Sequence, residues 1–132
     1  MASTPWQTQE IASAPVVTAP DGSAVHILCA TSRGSMILFS LPPGAVAEPV
    51  AHHTVEEIWY VASGRGRLWR KRDGAEQVVD LAPGLSLSLP AHTGFQFRND
   101  GPDLLQILAV TMPPWPGAEE AYAVAGMWEA TV

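Results

Sequence analysis

Glycine and proline interrupt this chain so often that no long element can form. Eleven glycines and twelve prolines are scattered through 132 residues. The breaks fall about every ten residues, which is the punctuation of an all-β sandwich or barrel. Segments 25–30, 35–41, 57–62, 66–71, 77–81, 85–89, 95–98 and 104–111 lie between them and are the expected strands. Several alternate, so each buries one face. Leu85, Leu87 and Leu89 oppose Ser86 and Ser88, and Phe95 and Phe97 oppose Gln96 and Arg98. Asp73-Gly74 is expected to close a hairpin, with further turns at Asp21-Gly22 and Asn99-Asp100-Gly101. At most a short turn of helix is expected over 118–124, where Glu119 and Glu120 suit an N-terminal end.

With 47% hydrophobic and 15% charged residues, the chain can bury a core and is too short for two domains. Residues 1–132 are therefore read as one domain, with a barrel over about 25–111. A tail, 112–132, packs on the barrel or on a partner subunit. The net charge of −6 argues against a nucleic-acid partner, although Arg65, Arg67, Arg70, Lys71 and Arg72 make a local basic strip. No apolar run is long enough for a membrane span, so no membrane partner is expected. The one cysteine, Cys29, has no intrachain partner and reads as a small buried residue. No basic region followed by an apolar block marks a secretory leader, which leaves the cytoplasm as the expected location.

Potential ligands concentrate in one window, His52-His53-Thr54-Val55-Glu56-Glu57-Ile58-Trp59. Metal binding needs ligands that converge from one face, and in a strand residues i and i+2 converge. Adjacent histidines cannot both point inward from a regular strand, so one of His52 and His53 should face the interior, as should one of Glu56 and Glu57. Trp59 and Val61 share Glu57's face, while Ile58 and Tyr60 face away.

The residues from Gly44 to Thr111 resemble the cupin superfamily, whose first motif is G-x5-H-x-H-x(3,4)-E-x6-G. In one register Gly44, Val50, His52, Glu57 and Gly64 fill it; in the other, Ala51 and His53 stand for the two histidines. The second motif, G-x5-P-x-G-x2-H-x3-N, keeps Gly84, Pro90 and Asn99. His92 stands at its glycine position and Phe95 at its histidine. Together with Glu56-Glu57-Ile58-Trp59-Tyr60, the closing 111–117 segment looks like small stand-alone bacterial cupins, a subgroup labelled mannose-6-phosphate-isomerase-like.

The resemblance implies a single cupin-type double-stranded β-helix, or jelly-roll barrel, that assembles as a homodimer. It also implies a divalent metal (Fe, Mn, Ni or Zn) at the mouth, acting on a small molecule by oxygenation, isomerisation or lyase chemistry. Here the ligands would be His52 or His53, Glu57 and His92. The other reading is a metal-free pocket that binds a small molecule as a sensor or carrier, or uses Glu57 for acid–base catalysis. Val50 and Phe95, apolar where the motifs place imidazoles, point that way. In either case Glu57 is the expected catalytic residue. Trp59, Val50, Phe95, Phe97 and Thr93 are the expected pocket, suited to an aromatic or otherwise planar ligand.

Overall fold

The computed structural model describes residues 5–132, so the first four residues of the expected domain lie outside it. Among the described residues the strands are β1 (Val16–Thr18), β2 (Ala24–Ala30), β3 (Ser35–Leu41), β4 (Val50–His52), β5 (Glu56–Ser63), β6 (Gly66–Arg72), β7 (Ala75–Leu81), β8 (Ser86–Leu89), β9 (Gly94–Asn99), β10 (Leu105–Met112) and β11 (Ala121–Ala123). They form two sheets, ordered β1-β2-β3-β10-β5-β8 and β11-β4-β9-β6-β7. Every pairing is antiparallel. No helix among them is long and apolar enough to cross a membrane.

Period-two alternation builds the core. Along β5, Glu57, Trp59 and Val61 are buried while Glu56, Ile58 and Tyr60 are exposed. Along β10, Leu105, Ile107, Ala109 and Thr111 point inward in the same rhythm. Trp59, Phe39 and Phe97 meet at the centre with ring centroids 5.2–6.1 Å apart, in the tilted and edge-on geometries that aromatic quadrupoles favour. Asp73 and Gly74 both take positive φ between β6 and β7, the backbone of the tight turn that matches strand twist.

Each expected strand is present to within a few residues, and three short ones, β1, β4 and β11, are additional. Three residues carry too little pattern to declare a period. The expected helical turn over 118–124 is a 3-10 turn at Ala118–Glu120, and the chain then extends into β11. Pairing of Ala121–Ala123 with β4 overrides the local preference.

The tail is fastened by one side chain on the outer face of β9, opposite to Phe95 and Phe97. Gln96, fully buried, donates from Nε2 to the carbonyls of Ala47 and Trp128, and its Oε1 accepts from the backbone N–H groups of Met127 and Trp128. The Trp128 ring lies under the guanidiniums of Arg67 and Arg98, 5.6 and 5.3 Å from its centroid. Gln96→Leu leaves four backbone groups without their partner. It should lower stability by about 2–4 kcal/mol in urea unfolding and speed hydrogen exchange at the Met127 and Trp128 amides. Unchanged exchange at both would show that the tail is held by other means.

Candidate functional site

His52 ends β4 and Glu57 is the first inward residue of β5, so the loop 53–55 carries the chain from one sheet to the other between them. Glu120 holds that loop: its carboxylate accepts from the N–H groups of Thr54 and Val55 and from the Thr54 hydroxyl. Burial works against the Glu120 charge, but these donors outweigh it and keep the carboxyl below its ordinary range. Inside, His52 Nδ1 lies 3.1 Å from Glu57 Oε2. Glu57 Oε1 accepts from the indole N–H of Trp59 at 3.2 Å. The His52 ring packs edge-on against Phe95 and Trp115, at 5.3 and 5.0 Å between centroids.

The pair opens on a cavity of about 420 Å³ walled by apolar side chains, among them Val25, Ile37, Phe39, Val50, Phe95 and Trp115. Trp115, Pro114, Ala118 and Ala121 come from the tail, so the tail forms one side of the cavity. The cupin domain model matches residues 37–111, more than half of the chain. The chain is a cupin.

Solved structures agree in fold. Oxalate decarboxylase from Bacillus subtilis superposes with a TM-score of 0.77 at 14% identity, over 94% of this chain and 33% of that one. This cupin thus spans about a third of that enzyme's length. KdgF from Halomonas sp. gives 0.61 at 22% identity, over 86% of this chain and 89% of its own. PAC13 from Streptomyces, solved with uridine, gives 0.68 at 12%, over 94% and 92%. No curated protein matches the chain.

Of the expected ligands, the structure brings together His52 and Glu57 only. His53 faces outward, its ring against Tyr122 at 4.4 Å. His92 is exposed, with Nδ1 3.4 Å from the Tyr122 hydroxyl. His92 stands where the cupin motif has glycine, and its φ of 64° explains why: the turn needs a left-handed backbone there. Histidine tolerates that region better than most side chains, and its ring swings outside the barrel. Val50 and Phe95, which fill two imidazole positions of the motifs, are buried cross-strand partners on the cavity wall. Among the described residues no three of His, Cys, Asp or Glu are grouped to hold a metal ion. The one inward imidazole and the one motif carboxylate point at each other, so the donor set does not fit the metal that the family motif implies.

The expected pocket divides. Val50 and Phe95 line the cavity. Trp59 and Phe97 do not; both are buried beneath it, in the aromatic core. Thr93 lines a separate shallow groove beside Arg70 and Arg72. One ionisable cavity residue went unread in the sequence. Asp21, in an Asp-Gly-Ser turn, is 4% exposed and lines the cavity. Its Oδ1 accepts from the Ser23 N–H and hydroxyl. An aspartate in a turn ordinarily points to water, and only the packing of the β1–β2 connection against the barrel turns this one inward.

Burial pushes the Glu57 carboxyl up from its ordinary 4.5 to about 8; the Trp59 donor opposes this and the Asp21 charge adds to it. Burial pushes His52 down from 6.5 to about 4, against the pull of Glu120. Between those values the pair carries one proton and no net charge, which is how an apolar wall tolerates it. The raised glutamate favours the folded state at low pH, and the lowered histidine favours it at high pH. From pH 4.5 to 6.5 the two proton imbalances cancel. From pH 6.5 to 8 Glu57 holds an extra proton in the folded state, and Asp21, whose carboxyl burial also pushes up, adds to that imbalance, so stability falls as pH rises. The loss is about 2 kcal/mol across that window. Urea unfolding at stepped pH should show this fall in the wild type, and Glu57→Gln should show a smaller one. A fall of equal size in the variant would assign the dependence to other groups.

Proposed function

We propose that this cupin works without a metal: it binds a small, largely apolar, planar molecule in the barrel mouth and moves a proton on it through Glu57 and His52. The observation that carries this reading is the 3.1 Å contact between those two side chains at the wall of an otherwise apolar cavity. Val50 and Phe95 occupy the remaining motif positions. The cavity's volume, about 420 Å³, suits a ligand at the small end of the usual range.

At neutral pH Glu57 is a protonated acid and His52 an uncharged imidazole, so a ligand that displaces their mutual contact can take the proton from Oε2 or give one to Nδ1. Trp59 fixes the carboxyl by its N–H bond to Oε1. Phe95 and Trp115 clamp the imidazole ring. Both groups are thereby set before any ligand arrives, the preorganisation that makes proton transfer efficient. Isomerisation and lyase reactions, which need one proton taken or given and no electron transfer, are the chemistry this pair supports.

The relatives bear on the reading in two ways. Bacillus subtilis oxalate decarboxylase has Mn(II) centres, whereas this chain has Val50 and Phe95 at two imidazole positions of the cupin motifs. PAC13 was solved with uridine, a planar base on a sugar, which agrees with a pocket walled by aromatic rings. Likeness to the mannose-6-phosphate-isomerase-like subgroup contributes the architecture alone. Among the described residues no Lys or Arg lines the cavity to hold a phosphate.

Elemental analysis of the purified protein should find no stoichiometric Fe, Mn, Ni or Zn, and a chelator should leave its melting temperature unchanged. A thermal-shift screen of planar aromatic compounds should find stabilising ligands that compete with one another. Glu57→Gln should keep their binding within a few-fold while abolishing any proton-transfer turnover detected with them. A full equivalent of metal, lost together with the melting temperature in His52→Ala, would overturn the reading.

A further inference from the structure

Apart from His52, the ionisable groups on the cavity wall among the described residues are the acids Glu57 and Asp21, with no Lys or Arg to balance them. Both acids are buried, at 2% and 4% exposure. Their partners differ. Each oxygen of Glu57 has one: Oε2 contacts His52 and Oε1 accepts from Trp59. In Asp21 both hydrogen bonds go to Oδ1, from Ser23. No side chain among the described residues donates to its second oxygen, although the carboxyl lies against the cavity. The turn itself needs only Oδ1, so an asparagine or serine would cap it equally well. A carboxyl is the more expensive choice for a buried turn, because its charge can be kept only with a partner.

Resting on the small-molecule reading above, we infer that the cavity's ligand is an organic cation, an aromatic or heteroaromatic molecule bearing a protonated amine or amidine, whose charged group meets Asp21. Burial pushes the Asp21 carboxyl above its ordinary range, and a cation against its second oxygen would favour the charged form and complete a charge-assisted hydrogen bond. Phe39, Phe95 and Trp115 offer ring faces or edges to the planar body of the ligand and, where a face is presented, to its cation. Anions find no counter-charge there, since among the described residues no Lys or Arg lines the wall and His52 is held uncharged. Asp21 is a specificity residue in this scheme: it reads the ligand's charge and lies apart from the Glu57–His52 contact.

Isothermal titration with benzylamine, benzyl alcohol and benzoate separates charge from shape in the wild-type protein. Benzylamine should bind at least about tenfold more tightly than benzyl alcohol, with benzoate weakest. Asp21→Asn keeps an acceptor for the Ser23 bonds. It should remove the preference for the amine and leave the alcohol's affinity unchanged. Equal binding of amine and alcohol, or a preference that survives in Asp21→Asn, overturns the charge assignment while the pocket stands. Binding of none of the three overturns the small-molecule reading along with it.

Discussion

One proton held between Glu57 and His52 governs what the interior of this barrel can be. Either group alone, charged, would carry a desolvation penalty of several kcal/mol in a wall of Val, Ile and Phe. Together they reach zero net charge without a counter-ion, and their 3.1 Å separation keeps the proton local. The strand pairing fixes this meeting. Glu57 is the first inward residue of β5, while β4 ends at His52 between β9 and β11. Shift either strand by a single residue and one of the two faces water.

The tail completes that arrangement and does not merely cover it. Glu120 grips the loop between His52 and Glu57 through Thr54 and Val55, and Trp115 packs on the imidazole. Further along, Gln96 and the Arg67 and Arg98 guanidiniums fix the chain around Trp128. The residues that shape the mouth thus come from both the barrel strands and the segment that follows them. Loosening of the tail would change the cavity even though no barrel strand moved.

Within the cupin fold, the substitutions at this site work as a set. Losing one imidazole would leave a cavity beside a weakened metal site. Here Val50 and Phe95 replace two at once and pack against each other across β4 and β9. Their burial puts hydrocarbon where the motifs place imidazoles, and the remaining histidine and glutamate are each other's partners. The metal-free reading follows from that exchange of donor atoms for hydrocarbon.

Strand faces were legible in the sequence because period two is a local rule. Glu57 inward with Trp59 and Val61, the turn at Asp73-Gly74, and the apolar residues at two motif positions all follow from spacing. Convergence was not legible, because it depends on which distant segments pair and how each turn directs its side chain. His52 rather than His53 enters the barrel because β4 is pinned between β9 and β11. His92 leaves the site because its left-handed backbone aims the ring at Tyr122. Asp21 joins the wall only because β1 and β2 fold that turn against the mouth. Amino-acid order therefore determined the barrel and its principal acid. Long-range pairing decided which other ionisable groups share the cavity with it, since groups brought in by separate loops meet only after the sheets have closed.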